Sequence, residues 1–147
     1  MNLSAPGSQG PFFSNMQKDN EKYLEVLGYE PSSYQKEIFD FVLHGTGNAV
    51  IKARAGSGKT ASFGIPVCEK INIEEKKVQC LVLTPTRELA MQTCTEFQSF
   101  TQGAYPRTTV LYGGASYSTQ IKDLKRGCEI VVGTPGRVKK KKKKKTL

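Results

Sequence analysis

The sequence predicts an α/β fold in which a parallel β-sheet carries helices on both faces. Short apolar runs of strand length alternate with amphipathic stretches of helical length, which is typical of βαβ crossovers. One of these runs leads into a glycine-rich loop, and the distinctive residues of the chain directly follow the others. A length of 147 residues is enough for one domain with a sizeable core.

Each element is predicted from its own residue pattern. Ser32 or Ser33 can cap a helix that buries Ile38, Phe39, Val42 and Leu43, and a shorter helix is predicted before it at 16–27. Four strands and three further helices follow. The strands are predicted at 49–53, 78–84, 109–112 and 128–133, and the helices at 59–71, 86–102 and 116–126.

The two ends of the chain differ from its middle. Residues 1–15 are rich in Ser, Gly, Pro and Asn and predict a flexible leader, so the folded domain is expected at 16–138. The net charge is +9, but without the seven lysines at 139–145 it is +2. The basic balance therefore reflects mainly the segment 139–147, which we predict to be a disordered, lysine-rich tail.

Composition also excludes some classes of function. The four cysteines include no C-x-x-C pair and His44 is the one histidine, so no metal site built from cysteine and histidine is expected, and the cysteines are interpreted as structural thiols. No apolar run has membrane-spanning length, and the first residues lack the pattern of a secretion signal. The expectation is an intracellular protein, cytoplasmic or nuclear, with no membrane partner.

The segment 53–60, called here the phosphate loop, predicts a site for phosphate. Small residues let backbone N–H groups wrap an anion, Lys59 adds a positive charge for the β- and γ-phosphates, and Thr60 offers a hydroxyl to Mg²⁺. The general pattern G-x-x-x-x-G-K-[ST] is met except at Ala53. A glycine-rich turn before an ordinary helix is the alternative. The predicted nucleotide-binding residues here are Ala53, Arg54, Ala55, Gly56, Ser57, Gly58, Lys59 and Thr60.

Three further motifs follow predicted strands. They are Pro85-Thr86-Arg87-Glu88-Leu89-Ala90, Gly113-Gly114 and Thr134-Pro135-Gly136-Arg137. The carboxyl ends of parallel strands meet at one edge of a sheet, so these loops could form a track for a sugar-phosphate backbone. Taken singly, each could also be an ordinary loop between a strand and a helix.

Together, these motifs resemble the first RecA-like domain of DEAD-box RNA helicases. The order A-x-x-G-x-G-K-T, P-T-R-E-L-A, G-G and T-P-G-R carries the resemblance, which runs from about residue 13 to residue 138. It implies a RecA-like P-loop fold, with ATP and Mg²⁺ held by the phosphate loop and with Lys59 and Thr60 in catalytic roles. It also implies RNA contacts from Pro85, Thr86, Arg87, Gly113, Gly114, Thr134, Gly136 and Arg137.

The stretch 28–35 resembles the adenine-reading Q motif of the same family. The resemblance implies that the Gln35 amide would serve adenine as both donor and acceptor, with Phe13 stacking on the base. This chain has one residue fewer between Tyr29 and Pro31 than the family pattern, and Tyr34 stands where the family usually has Ile. Alternatively, the two tyrosines could simply hold two helices together.

The resemblance also implies acidic residues that this sequence lacks. Neither the Asp-Glu-Ala-Asp motif nor the Ser-Ala-Thr motif nor a second RecA-like domain occurs in the 147 residues. We therefore predict a truncated domain that binds ATP weakly at best and does not hydrolyse it alone. A non-catalytic RNA-binding module with a vestigial phosphate loop is a second interpretation. A DNA helicase is a third, less favoured because of the motif at 85–90.

Overall fold

The structure, a computed structural model, describes residues 28–54, 56–72 and 74–143. The predicted leader, the helix predicted at 16–27, Phe13 and Ala55 lie outside the described residues. The described elements in chain order are α1 (Ser33–His44), α2 (Lys59–Lys70), β1 (Cys80–Leu83), α3 (Arg87–Phe100), β2 (Thr108–Leu111), α4 (Tyr117–Lys125), β3 (Ile130–Gly133) and α5 (Pro135–Lys143). From residue 59 to residue 133, every predicted helix and strand is present with both ends within two residues of the prediction.

The three described strands form one parallel sheet in the order β1-β3-β2. In this register Leu83 of β1 pairs with Gly133 of β3, and Leu111 of β2 pairs with the same glycine. All three strands therefore end at the same level. The loops that follow them must leave the sheet from one common edge, called here the carboxyl edge.

Helices cover both faces of the central strand β3. On one face, Ile130 and Val132 form a core cluster with Ala90, Cys94 and Phe97 of α3. Residues of α2, including Phe63 and Val67, pack against the same cluster. Because the side chains of a strand alternate between its faces, Val131 points the opposite way.

Val131 belongs to a second cluster on the other face, together with Leu111, Cys128 and Val138 of α5. Leu124 of α4 packs against this cluster. The predicted α/β class, with a parallel sheet and helices on both faces, is thus confirmed.

Two glycines allow elements to approach one another closely. A methyl group on Gly133 would lie 2.7 Å from the Leu111 carbonyl oxygen and 2.8 Å from the Val138 Cγ2. Inside α2, a methyl group on Gly64 would lie 2.8 Å from the Phe100 ring. Pro66 lies within the same helix, as predicted, and is fully buried there. Packing outweighs the poor helical propensity of this sequence.

The strand predicted at 49–53 is wrong. These residues are described but join no sheet, and the Val50 side chain is 82% exposed while Ile51 is 40% exposed. A parallel strand is held by hydrogen bonds to neighbours, and in the part of the chain that is described β1, β2 and β3 pair only with one another. Apolar character alone therefore did not produce a strand.

The structure also differs from the prediction of a disordered tail beginning at Lys139. Helix α5 continues through Lys143, so the first five lysines of the run are helical. The helix begins inside the folded domain, where Val138 is buried, and lysine is a good helix former once a first turn exists. Residues 144–147 lie outside the described part of the chain.

The described residues contain neither a membrane span nor a metal-binding cluster. None of their helices is both long and apolar enough to cross a bilayer. They contain no group of three His, Cys, Asp or Glu side chains suited to a metal ion.

All four cysteines are free thiols, and burial raises the pKa of Cys94 from 9.0 to about 11. Such a thiol stays protonated at neutral pH, as a structural cysteine does.

Candidate nucleotide and nucleic-acid sites

Two glycines shape the phosphate loop. Gly56 and Gly58 both have φ of +74°, a left-handed conformation that residues with a side chain rarely adopt. Gly58 is also the N-cap of α2, so the loop runs directly into the helix. The free N–H groups of a helical first turn and its dipole favour an anion at this point. The donors present here therefore fit a phosphate group.

Lys59 is the first residue of α2, and its side chain turns back onto the loop. Its ammonium group donates to the carbonyl oxygens of Ala53 at 3.0 Å and Arg54 at 2.5 Å. The Ser57 hydroxyl donates to the same Arg54 oxygen at 2.7 Å. In this conformation the lysine charge is satisfied by the loop itself. Thr60, which the sequence predicts as a Mg²⁺ ligand, is half-buried in the first turn of α2.

Ser62 fixes the junction between the loop and α2. It is fully buried, and both its backbone N–H and its hydroxyl donate to the Gly58 carbonyl oxygen, at 2.9 Å and 2.8 Å. The sequence interpretation did not assign this residue a role. Its signal was a polar side chain one turn after the loop, on the helix face that turns inward.

Gln35 lies against the phosphate loop but its amide is already engaged. Its Oε1 accepts from the Ser32 backbone N–H at 2.9 Å and from the Ser32 hydroxyl at 3.0 Å, and its Nε2 donates to the Tyr29 hydroxyl at 3.4 Å. Only 3% of Gln35 is exposed. A methyl group on Gly58 would lie 2.7 Å from the Gln35 Nε2. The glutamine thus caps α1 and packs on the loop.

Tyr34 makes a direct link between α1 and the loop that sequence reasoning missed. Its hydroxyl donates to the Ser57 carbonyl oxygen. The two residues are 23 positions apart, so nothing in the local pattern indicates the bond. The available signal was that a phenolic hydroxyl replaces an aliphatic side chain next to Gln35.

The loop after β1 begins the carboxyl edge. Pro85 is exposed there, and Thr86 caps α3 by accepting the Leu89 backbone N–H at 3.2 Å on its hydroxyl. Arg87 opens the helix, and its Nε lies 2.5 Å from the Glu88 carboxylate, with both side chains 63% exposed. The hydrogen bond to Glu88 raises the pKa of Arg87. Solvent screens such an exposed pair, which leaves Arg87 available to other anions.

The glycine pair after β2 lies beside this arginine. Gly114 has φ of +92°, and a methyl group on it would lie 3.9 Å from the Arg87 Nη1. Gly113 has nothing within 4 Å of the same kind of added group. The loop therefore presents bare backbone to solvent next to a cation.

The loop after β3 completes the edge through Arg137. Its Nη2 donates to the Ala115 carbonyl oxygen at 3.3 Å, and its guanidinium lies 5.7 Å from the centre of the Tyr117 ring. The Thr134 carbonyl accepts the backbone N–H groups of Arg137 and Val138, both at 3.1 Å. A shallow pocket of about 350 Å³ opens here, lined by Gly113, Gly114, Thr134, Gly136, Arg137 and Lys140.

The structure thus brings five of the eight predicted RNA-contacting residues into one pocket. Arg87 lies beside Gly114, which is one of the lining residues. Pro85 and Thr86 lie in the neighbouring loop and do not line the pocket. Lys140 was not predicted as a site residue, because it lies within a run of identical residues where no position stands out.

Comparison with known proteins identifies relatives of this chain. The DEAD/DEAH box helicase family model matches residues 32–147. Among curated proteins, the chain is 43% identical over 129 residues to an ATP-dependent RNA helicase, DbpA, of Bacillus subtilis. That match covers 86% of this chain and 27% of the relative, so the chain spans about a quarter of the relative's length.

Two solved structures have a similar fold. A DEAD box protein from Methanococcus jannaschii matches with a TM-score of 0.74 and 35% identity, over 100% of this chain and 38% of that protein. A hypothetical ATP-dependent RNA helicase from Sulfolobus tokodaii matches with a TM-score of 0.73 and 31% identity, over 88% of this chain and 37% of that protein.

Proposed function

Because the chain belongs to the DEAD/DEAH box helicase family, we propose that it forms the ATP-binding portion of an ATP-dependent RNA helicase and part of its RNA-binding face. The observation that carries the proposal is the carboxyl edge, where a shared strand register brings the three motif loops together beside a pocket. In a parallel sheet this edge is where ligands bind.

In this proposal ATP binds at the phosphate loop. The backbone N–H groups around Gly56 and Gly58 face the phosphates, and Thr60 holds Mg²⁺ through its hydroxyl. Lys59 exchanges the Ala53 and Arg54 carbonyl oxygens for phosphate oxygens, which carry more negative charge and so compete well for the ammonium group. Gln35 reaches adenine by giving up its bonds to Ser32 and Tyr29.

The same proposal limits the chemistry of these 147 residues. Magnesium-bound ATP supplies the phosphoryl group that is transferred to water in ATP hydrolysis. No Asp-Glu-Ala-Asp occurs in the sequence to orient that water. We therefore propose that this polypeptide by itself binds ATP and does not hydrolyse it.

RNA is proposed to bind along the carboxyl edge through its sugar-phosphate backbone. Glycines let the strand approach the main chain closely. Arg87 beside Gly114, and Arg137 at the Ala115 carbonyl, supply positive charge next to the Gly113-Gly114 loop. Contacts of this kind position an RNA strand without reading its bases.

Binding of a fluorescent ATP analogue with Mg²⁺ tests the nucleotide half of the proposal. Lys59→Ala should weaken binding by about tenfold or more, because it removes a charged donor to phosphate. Lys52→Ala is the matched control, since Lys52 is an exposed lysine that precedes the loop, and it should bind like the original chain. Equal binding by all three proteins would contradict the proposal.

A second candidate is a non-catalytic RNA-binding module with a vestigial phosphate loop. The observation that favours it is the Lys59 ammonium group, which is satisfied by the loop's own carbonyl oxygens. If no protein in this series binds the analogue while the original chain still binds RNA, the second candidate replaces the first.

The RNA half is tested by anisotropy with a labelled single-stranded oligouridylate. Arg137→Gln should weaken binding about three- to fivefold, the loss of one exposed ionic contact. Arg126→Gln removes the same charge before the amino end of β3, where the Arg126 side chain is 80% exposed, and is the control. Equal losses from the two variants would mean that charge alone, rather than the carboxyl edge, binds the RNA.

A further inference from the structure

We propose that Lys140 is an additional RNA-backbone contact, placed by helix α5 beside Arg137. This inference rests on the proposed RNA-binding role of the carboxyl edge. The lysine run 139–145 as a whole has no defined position or ligand. The inference gives one of its lysines a defined position and a ligand, which is a backbone phosphate of single-stranded RNA.

The first support is the pocket itself. Lys140 lines the cavity of about 350 Å³ together with Gly113, Gly114, Thr134, Gly136 and Arg137. The other five are among the eight residues that sequence motifs predict to touch RNA, and Lys140 joins them only through the fold. It is thus the one lining residue whose role no motif indicates.

Helix geometry explains why this lysine is selected. Residues three positions apart lie on the same face of an α-helix, so Lys140 lies above Arg137. Lys139 is two positions from Arg137 and lies on the opposite side of the helix. Both lysines are exposed, yet Lys140 lines the pocket and Lys139 is not among its lining residues.

The beginning of α5 is fixed relative to the sheet. Val138 is 8% exposed and packs with Leu111 and Val131. The Thr134 carbonyl holds the backbone N–H groups of Arg137 and Val138. The direction in which Lys140 leaves the helix is therefore set by buried contacts two residues earlier, although its own side chain is in solvent.

The chemistry of the pocket suits a phosphodiester. Its lining residues include two cations and no carboxylate, and three of the six are glycines. Arg137 is anchored by the Ala115 carbonyl oxygen, while a lysine ammonium group carries three donors that can follow a phosphate oxygen. Two cations three positions apart on a helix can thus contact neighbouring phosphates of one strand.

Binding of the labelled oligouridylate to the 147-residue chain, to Lys140→Gln and to Lys139→Gln tests this inference. Both variants lose one lysine charge from adjacent positions of the same helix, so their effects on net charge are identical. Lys140→Gln should weaken binding about three- to fivefold and reduce the salt dependence by about 0.7, the value of one phosphate contact on a single strand. Lys139→Gln should cause less than half of either change.

Equal losses from the two lysine variants would overturn the inference, because the lysines would then act as diffuse charge. Arg137→Gln separates this failure from that of the proposed function. If Arg137→Gln weakens binding and Lys140→Gln behaves like Lys139→Gln, the inference alone fails. If neither Arg137→Gln nor Lys140→Gln changes binding, both the inference and the proposed RNA face fail. Circular dichroism of each variant verifies that helix content is unchanged.

Discussion

The phosphate loop and the loops of the carboxyl edge are both strand-end motifs in the sequence, yet the structure supports them differently. The carboxyl-edge loops follow strands whose register is set by parallel pairing on β3. The phosphate loop follows the segment 49–53, which joins no described strand, and is held by side chains from α1, by Ser62 and by its own lysine.

The comparison shows that the residues that make up a motif and the residues that hold it in place can be different. A phosphate loop needs glycines at left-handed positions and a helix that starts directly after them, and adjacent residues specify both. The three loops can meet at one edge only if the strands before them are in register. That register depends on residues that are far apart in the chain. We therefore expect substitutions at the sheet to affect folding and substitutions at the phosphate loop to affect mainly ligand binding.

The largest expected effect is at Gly133. An alanine methyl group there would meet the Leu111 carbonyl oxygen and Val138 at under 3 Å, and neither the strand nor the helix can move away without losing packing. Gly133→Ala should lower the free energy of unfolding by about 2–3 kcal/mol, as measured by urea titration. We expect the substitution to disturb the common level of the three strand ends at the carboxyl edge, and not merely to remove one contact.

Gly136→Ala is the matched control for this prediction. A methyl group on Gly136 would have nothing within 4 Å, so stability should not fall. RNA affinity should nevertheless decrease, because the added group enters the pocket that Gly136 lines. A similar loss of stability in both variants would show that close packing at Gly133 is not what holds the edge.

An intermediate effect is expected at Tyr34, which connects α1 to the phosphate loop. Tyr34→Phe removes the hydroxyl that donates to the Ser57 carbonyl oxygen and leaves the ring in place. The loss of one neutral hydrogen bond, about 1 kcal/mol, should weaken binding of the ATP analogue about fivefold. Titration of the fluorescent analogue with Mg²⁺ measures it.

Tyr29→Phe provides the comparison for Tyr34→Phe. The Tyr29 hydroxyl accepts a longer bond, 3.4 Å, from the Gln35 Nε2, and Tyr29 is 49% exposed. Its removal should change analogue binding less than Tyr34→Phe does. If Tyr29→Phe weakens binding more, the bond to the loop is not the link that positions Ser57.

The smallest effect concerns Cys68 on α2, the helix that joins the phosphate loop to the sheet. Burial first, and then the neighbouring Cys80 and Glu69, raise the pKa of Cys68 from 9.0 to about 12. The folded chain keeps this proton above pH 9 while the unfolded chain releases it. This contribution to the free energy of unfolding is therefore complete below pH 9 and is lost as the pH rises towards 12.

Urea titrations of the original chain and of Cys68→Ala at about pH 7 and about pH 10 measure this contribution. Other groups also titrate over that range, so the quantity of interest is the difference between the two proteins. Cys68→Ala should lose less stability between the two pH values than the original chain. Identical losses would mean that Cys68 is as accessible to water as it is in the unfolded chain.

Much of the fold was predictable from local patterns. The apolar run before Gly133 and the amphipathic stretches around it predicted β3, α3 and α4 to within two residues, because periodicity and capping residues act over a few positions. The same reasoning failed at 49–53, where an apolar run has the composition of a strand but no described neighbour to pair with. The composition of a segment does not show whether another strand lies beside it to form hydrogen bonds.

The candidate sites show the same division. The sequence by itself determined which residues are the candidates for phosphate and RNA binding, since glycine, lysine and threonine at fixed spacing predict the phosphate loop, and a glycine pair and two arginines mark the carboxyl edge. The tertiary structure decided how these residues are held and what joins them: the strand order β1-β3-β2, the bond from Tyr34 to Ser57, and Lys140 in the pocket of Arg137. Motifs are read from neighbouring residues, whereas hydrogen-bond partners and pocket walls come from residues that only folding brings together.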